Sequence, residues 1–218
     1  MASKIIEIKK NILHKNEQLA ASNREFFHNK NLTVLNFTSS PGSGKTTLLV
    51  DTLQRLDGKF KSAVLEGDQH TDNDAKRIAK TGVDVVQINT LSICHLDASM
   101  ISKALDEIEI DGLDFLFIEN VGNLVCPASY DLGELMKVVV ISTTEGEDKP
   151  EKYPKMFLEA KVVILTKIDL LPYLDFDLDR FLDSAFGVNP NLKLFKVSAK
   201  TGAGLDEWMQ WLTTLRTS

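Results

Sequence analysis

The sequence predicts an α/β fold: a mostly parallel sheet flanked by helices, preceded by an N-terminal amphipathic helix. Three observations carry this. From residue 32 onward, strand-like and helix-like stretches alternate. Several of the strand-like stretches are apolar almost without interruption, namely Phe115–Ile118, Lys137–Ile141 and Val162–Leu165. Such runs suit strands covered on both faces, as in parallel sheets, and strands separated by helices imply right-handed crossover units. Finally, a Gly-rich turn joins the first strand to the helix after it, a junction that open α/β sheets use for ligands.

The elements follow in order. In the first thirty residues Ile5, Ile12, Leu19 and Phe26 recur every seven positions, Ile8 joins the stripe, and the remainder is largely polar. This predicts a helix of several turns ending near Asn29–Asn31, with its apolar stripe packed on the domain or docked on a partner. Strands are expected at Leu32–Phe37, Ser62–Glu66, Asp84–Ile88, Phe115–Glu119, Val138–Ser142, Val162–Thr166 and Leu192–Val197. Helices are expected at Thr46–Leu56, Asp72–Lys80, Leu96–Glu107, Glu151–Glu159, Leu178–Phe186 and Leu205–Leu215. Trp208 and Trp211 in the last helix read as core. No internal repeat or low-complexity linker interrupts the pattern. The division is thus a helical extension at 1–30 and one α/β domain at 31–218.

Composition narrows the function. The chain has 218 residues, 43% hydrophobic and 26% charged, with net charge −6 and no Lys/Arg block of five or more. A nucleic-acid groove needs a basic stripe to neutralise phosphates, so nucleic acid is not an expected partner. No run approaches the roughly 18 apolar residues of a membrane span, and Met1–Lys10 lacks the apolar stretch of a secretory signal. The expected location is the cytoplasm. The cysteines are two, Cys94 and Cys126. In a reducing compartment they favour metal binding or plain burial over a structural disulfide.

The turn reads Ser39-Ser40-Pro41-Gly42-Ser43-Gly44-Lys45-Thr46, then Thr47. A strand before and a helix after is the context a phosphate-binding loop requires, which narrows the fold class to a P-loop NTPase. Gly42, Ser43 and Gly44 let backbone N–H groups turn toward phosphate oxygens, and the helix N-terminus adds partial positive charge. Lys45 would reach the β- and γ-phosphates, and the Thr46 hydroxyl would ligate Mg²⁺. Ser39 stands where the usual pattern has its first Gly.

Thr166-Lys167-Ile168-Asp169 closes a later strand. Asp169 can accept from guanine N1–H and the 2-amino group, whereas adenine would leave the carboxylate unpaired. Lys167 would lay its stem along the base. Thr166 replaces the usual Asn and holds the loop with a shorter side chain. Ser198-Ala199-Lys200 ends the next strand and supplies a supporting base contact. The nucleotide is therefore expected to be GTP.

Glu119-Asn120-Val121-Gly122 occupies the place where GTPases carry Asp-x-x-Gly. There the carboxylate holds Mg²⁺ through water and the Gly N–H senses the γ-phosphate. Asp68, at the end of an earlier strand, joins Thr46 and Glu119 as an expected Mg²⁺ residue. Asp72 reads in two ways, as the group that orients the attacking water or as an acid at a helix N-terminus favoured by the dipole.

Cys94-His95 precedes one helix, and Cys126-Pro127 lies four residues past Gly122. Taken alone, a cysteine is more often a small buried hydrophobe than a ligand. Here both fall in loops after strands, one adjoins a His, and the other sits on the segment a γ-phosphate would order. Two thiolates and an imidazole suit Zn²⁺, Ni²⁺ or Cu. Three ligands leave a position open, and a two-fold dimer would bring two sets face to face.

Four segments together resemble the HypB family, the nickel-insertion GTPases of hydrogenase maturation: 39–46, Glu-Gly-Asp-Gln-His-Thr-Asp-Asn-Asp-Ala at 66–75, Cys-His-Leu-Asp-Ala at 94–98 and Glu-Asn-Val-Gly-Asn-Leu-Val-Cys-Pro at 119–127. The resemblance spans roughly Leu32 to Leu215. It implies a GTPase of the signal-recognition/MinD-like class that dimerises with GTP and binds nickel or zinc at Cys94, His95 and Cys126; because no arginine finger is obvious, its intrinsic hydrolysis is expected to be slow. It implies as partners a HypA-like nickel metallochaperone, reached through the N-terminal segment, and the hydrogenase large-subunit precursor. It also suggests that Lys149 contacts nucleotide across the dimer. The N-terminal Cys-x-x-Cys-x-Cys site and the His-rich tract of some members are absent, so high-affinity nickel storage is not expected.

Three rival readings fit the residues less well. The related urease nickel GTPase, UreG, carries Cys-Pro-His, which this chain lacks. A non-enzymatic metal-carrying scaffold does not explain intact Lys45, Thr46 and Asp169. A generic translation or trafficking GTPase does not explain the cysteine pair.

Overall fold

The computed structural model describes residues 2–69 and 71–217, with side chains described from 11 to 216 apart from residue 70. The side chains of Ile5 and Ile8, and His70, lie outside these. Among the described residues there are seven strands: β1 (Thr33–Ser39), β2 (Ser62–Asp68), β3 (Asp84–Asn89), β4 (Phe115–Gly122), β5 (Met136–Ser142), β6 (Ala160–Thr166) and β7 (Lys193–Lys196). They form one sheet in the order β3-β2-β4-β1-β5-β6-β7, with every pairing parallel. Helices α1 (Ala2–Asn29), α2 (Lys45–Leu56), α3 (Asn73–Ala79), α4 (Ala98–Leu105), α5 (Lys149–Lys152), α6 (Pro154–Glu159), α7 (Leu178–Val188) and α8 (Leu205–Thr217) complete the chain.

The apolar runs are buried on both faces, as a parallel sheet requires. On one face Leu35, Phe37, Phe117 and Val140 pack against Leu49 and Leu53 of α2 and Trp208 of α8. Trp208 is fully buried and its indole N–H donates to Thr52 Oγ1 at 3.0 Å, which satisfies its one polar atom. Neighbouring residues of the same strands face the other way. Leu65, Leu116 and Ile118 meet Ile101 of α4 and Phe27 of α1, and Val139, Ile141 and Val163 meet Phe157 and Phe181 of α6 and α7. Each such side chain contributes about 1.5–3 kcal/mol by leaving water.

Differences from the sequence expectation have local causes. The stretch expected as one helix at Glu151–Glu159 is split into α5 and α6 at Tyr153, whose φ of −126° is imposed by Pro154 next to it. The helix expected from Leu96 starts at Ala98, because the Asp97 carboxylate caps it, accepting from Met100 N–H at 2.8 Å.

The larger correction concerns α1. Its buried face is Asn16, Ala20, Asn23 and Phe27, while Ile12 and Phe26 of the seven-residue stripe are 53% and 36% exposed. The asparagines are buried because they complete backbone groups that would otherwise be orphaned. Asn23 Nδ2 donates to the carbonyls of Ala98 and Leu132, both at 3.0 Å, and Asn16 accepts from Ala98 N–H while donating to Asp131 O.

Candidate nucleotide and metal site

The site lies at the C-terminal ends of β1, β2 and β4, where strand order reverses around β1. The phosphate loop leaves β1 at Ser39, which is still paired in the sheet with Val140 and Gly122 and so has no need of glycine's freedom. Gly42 and Gly44 take φ of +77° and +90°, the left-handed region glycine enters without strain. The loop lines a cavity of about 620 Å³ together with Glu66, Asp68, Thr71, Asn120, Gly122 and Lys167. A cavity of this size lies within the range of small-ligand sites.

Inside it, Lys45 Nζ donates to Glu119 Oε1 at 2.9 Å and to the Asn120 carbonyl at 2.6 Å, and Thr46 Oγ1 donates to the same Glu119 oxygen at 2.6 Å. The other Glu119 oxygen and one oxygen of Glu66 are buried with no hydrogen-bond partner. Glu66 and Glu119 are paired neighbours on β2 and β4. Burial first, and the Glu119 charge second, push the Glu66 carboxyl up from 4.5 to about 8. Buried carboxylate oxygens without donors, beside a threonine hydroxyl, are a donor set that fits a hard divalent cation such as Mg²⁺. Gly122 meets the phosphate loop directly: a β-carbon on it would lie 3.3 Å from Pro41 Cγ.

Asp68 lines the cavity, and its carboxylate accepts from Thr71 N–H at 2.7 Å. Asp72 does not line it. It stands at the N-cap of α3, and its carboxylate pairs with Lys76 at 2.7 Å, which holds it below the usual carboxylate range. Of its two sequence readings, this placement fits the helix acid. Asp74 and Arg77, which sequence reasoning passed over, line the cavity instead; a helical repeat placing both on the cavity side of α3 was the available signal.

A second cavity of about 250 Å³ adjoins the first and is lined by Thr47, Lys167, Asp169, Ala199 and Lys200. Ser198 Oγ donates to Asp169 Oδ1 at 2.6 Å, fixing the carboxylate. Lys167 takes a left-handed φ of 58°, and its ammonium donates to Gly42 O at 2.7 Å. Thr166 Oγ1 lies 2.5 Å from Ser43 O and 3.2 Å from Ile141 O, so the short side chain ties the base loop straight to the phosphate loop. Lys149 stands beside the phosphate loop of its own chain, with Nζ 3.5 Å from Ser40 Oγ and 3.4 Å from Glu145.

The cysteines meet. Cys94 Sγ donates to Cys126 Sγ at 2.8 Å, and the ligand atoms of Cys94, His95 and Cys126 lie within 4.8 Å of one another. All three are half-buried. The thiol contact, with burial, raises the Cys94 pKa, and burial lowers that of His95, favouring the neutral imidazole a metal requires. The His95 ring lies 3.8 Å from the Tyr130 ring, which fixes its plane. Among the described residues no helix is long and apolar enough to cross a membrane.

Comparison with known proteins shows what the chain is similar to. Residues 33–196 match the family described as CobW/HypB/UreG, nucleotide-binding domain. The chain is 53% identical over 213 residues to the hydrogenase maturation factor HypB of Escherichia coli strain K12, covering 98% of this chain and 73% of that protein. It is 43% identical to the hydrogenase/urease maturation factor HypB of Helicobacter pylori strain J99, covering 97% and 88%. Similar solved structures include HypB from Helicobacter pylori in complex with nickel, with a TM-score of 0.88 at 42% identity over 93% of this chain and 95% of that one. HypB from Archaeoglobus fulgidus gives a TM-score of 0.87 at 35% identity over 93% and 99%.

Proposed function

Since the chain belongs to the HypB hydrogenase maturation factors of the CobW/HypB/UreG nucleotide-binding family, we propose that it is a GTP-hydrolysing metallochaperone that carries nickel at Cys94, His95 and Cys126 and assists its insertion into [NiFe] hydrogenase. The observation that carries this is the position of Cys126 on the segment continuing from Gly122, against the phosphate loop, with its sulfur at Cys94. A segment that responds to the terminal phosphate then also carries a metal ligand.

In this reading the loop N–H groups of Gly42, Ser43 and Gly44 with Lys45 and Thr47 hold the phosphates, and Lys45 stabilises charge that develops on transfer. Asp169, with Lys167, Ser198, Ala199 and Lys200, reads guanine. Thr46, Asp68 and Glu119 would hold Mg²⁺, which when bound neutralises phosphate charge. Gly122 senses the γ-phosphate through its N–H. Lys149 either supports the phosphate loop it lies beside or reaches a second copy's nucleotide. The nickel is cargo, and Zn²⁺ suits the same ligands. We further propose a helical extension at 1–30 and a GTPase domain at 31–218, a GTP-dependent homodimer, docking of a HypA-like metallochaperone and the hydrogenase large-subunit precursor, and a cytoplasmic location. The double name of the Helicobacter pylori relative favours urease as a second client.

The test is paired. GTP hydrolysis is measured on the purified chain, and Ni²⁺ binding is titrated on it and on a Cys94→Ala/Cys126→Ala double variant. The reading expects GTP turnover in preference to ATP, and metal binding lost in the variant. Metal binding unchanged by the double substitution would overturn it.

A further inference from the structure

We infer that Asn120 is the positioning residue through which the phosphate loop and the metal cluster sense one another. The inference rests on the reading above, that a nucleotide and a metal ion occupy one chain. Asn120 is 1% exposed in the middle of a parallel sheet, where an aliphatic side chain would ordinarily serve. A buried amide is costly unless its groups are paired, so its partners indicate what it does.

Those partners lie on both sides of the site. Its carbonyl accepts from Lys45 Nζ at 2.6 Å, the ammonium that any bound phosphate must attract. Its Oδ1 accepts from Leu96 N–H at 3.1 Å, and Leu96 directly follows His95. Its Nδ2 donates to Asn36 Oδ1 at 3.2 Å; Asn36, fully buried on β1, donates in turn to Glu134, which is paired with Lys137 at 2.9 Å. Three residues on, Asn123 Nδ2 donates to the Cys94 carbonyl at 3.1 Å. The Cys94–His95 loop therefore hangs at both ends from the segment that carries the third ligand, Cys126.

The physical consequence is a lever with one fixed arm. An ammonium has three donors, and phosphate oxygens compete with the Asn120 carbonyl for them. The Asn36–Glu134–Lys137 side anchors the amide, and hydrogen bonds in such low-dielectric surroundings are strong. A change at the Asn120 peptide is therefore passed to Leu96 N–H, and with it to His95 and Cys94, rather than lost in side-chain motion. Coupling of this kind is a free energy between two sites and is measured as such.

The experiment uses the full chain with Ni²⁺ alone as the metal, and compares its dissociation constant in the presence of GDP and of a non-hydrolysable GTP analogue. For the unmodified chain the two constants are expected to differ by about 5–150-fold, the usual span of allosteric coupling. Asn120→Ala is expected to bring the ratio within about twofold of one. A purely structural role would lower Tm and leave the ratio alone. A variant that keeps the full ratio overturns this inference and leaves the proposed function standing; a ratio of one in the unmodified chain overturns nucleotide-coupled metal binding and this inference with it. A second measurement needs no variant: the Leu96 amide should change its hydrogen-exchange rate by about tenfold or more between the two nucleotides, and equal rates overturn the role assigned to Asn120.

Discussion

The sulfurs of Cys94 and Cys126 stand 2.8 Å apart although the residues follow different strands, β3 and β4, that are not neighbours in the sheet. The loop after β3 crosses the end of β2 to bring Cys94 over. Cys94 Sγ donates to Cys126 Sγ, and in the proposed reading a metal ion would take the place of that proton. Replacing either cysteine by serine is expected to weaken Ni²⁺ binding by at least the 10–100-fold that loss of even an outer partner costs. Binding should also strengthen as pH rises toward the raised Cys94 pKa. Titration calorimetry at several pH values checks both.

Asp169 is held by Ser198, and in the proposed function it accepts from guanine. Asp169→Asn turns an acceptor into a donor. GTP affinity should fall by up to roughly 10⁴-fold, and xanthosine triphosphate, which offers a carbonyl where guanine has its amino group, should bind the variant better than GTP does. Competition binding with the two nucleotides decides it.

The acids near α3 should separate kinetically. Asp68 lines the phosphate cavity and Asp72 pairs with Lys76 outside it. Asp68→Ala is expected to lower kcat for GTP by about 10²–10³-fold, the scale of one lost electrostatic group at a reacting phosphate. Asp72→Ala should leave it within about threefold. A larger fall for Asp72→Ala would return that residue to the role of orienting water.

Glu66 gives the chain without nucleotide or Mg²⁺ a pH signature. Its folded pKa, pushed up to about 8, lies above the ordinary 4.5, so the native state holds a proton that the unfolded state has released. Stability is then fully present below about pH 4.5 and declines as pH rises to about 8. Glu66→Gln keeps the shape without the titration. Urea midpoints for the variant should be flatter across that window, and above it the variant should be the more stable protein.

On α1, Asn23 completes two carbonyls and accepts from Ser102 Oγ at 2.7 Å. Asn23→Leu adds apolar surface to the buried face of α1. It should destabilise the fold by about 1–3 kcal/mol, because the carbonyls of Ala98 and Leu132 are left without a donor. Chemical denaturation measures this directly.

The sequence by itself determined the order of strands and helices, the phosphate-loop motif, the candidate base-reading residues and the three metal-ligand candidates, because each is written in local spacing: apolar runs, Gly-x-Gly-Lys-Thr, a carboxylate three residues past a strand end, a Cys-His pair and a lone Cys in loops after strands. Tertiary structure decided what depends on separate segments meeting. It placed β2 between β3 and β4 and so closed the cysteine pair. It turned α1 so that Asn16 and Asn23, rather than Ile12 and Phe26, face the domain alongside Ala20 and Phe27, because the segments beneath present bare carbonyls and N–H groups. It also gave Asn120 its three distant partners, Lys45, Leu96 and Asn36, none of which local sequence reveals, since a hydrogen bond from Leu96 N–H to the Asn120 side chain exists only once the fold has brought the two segments together.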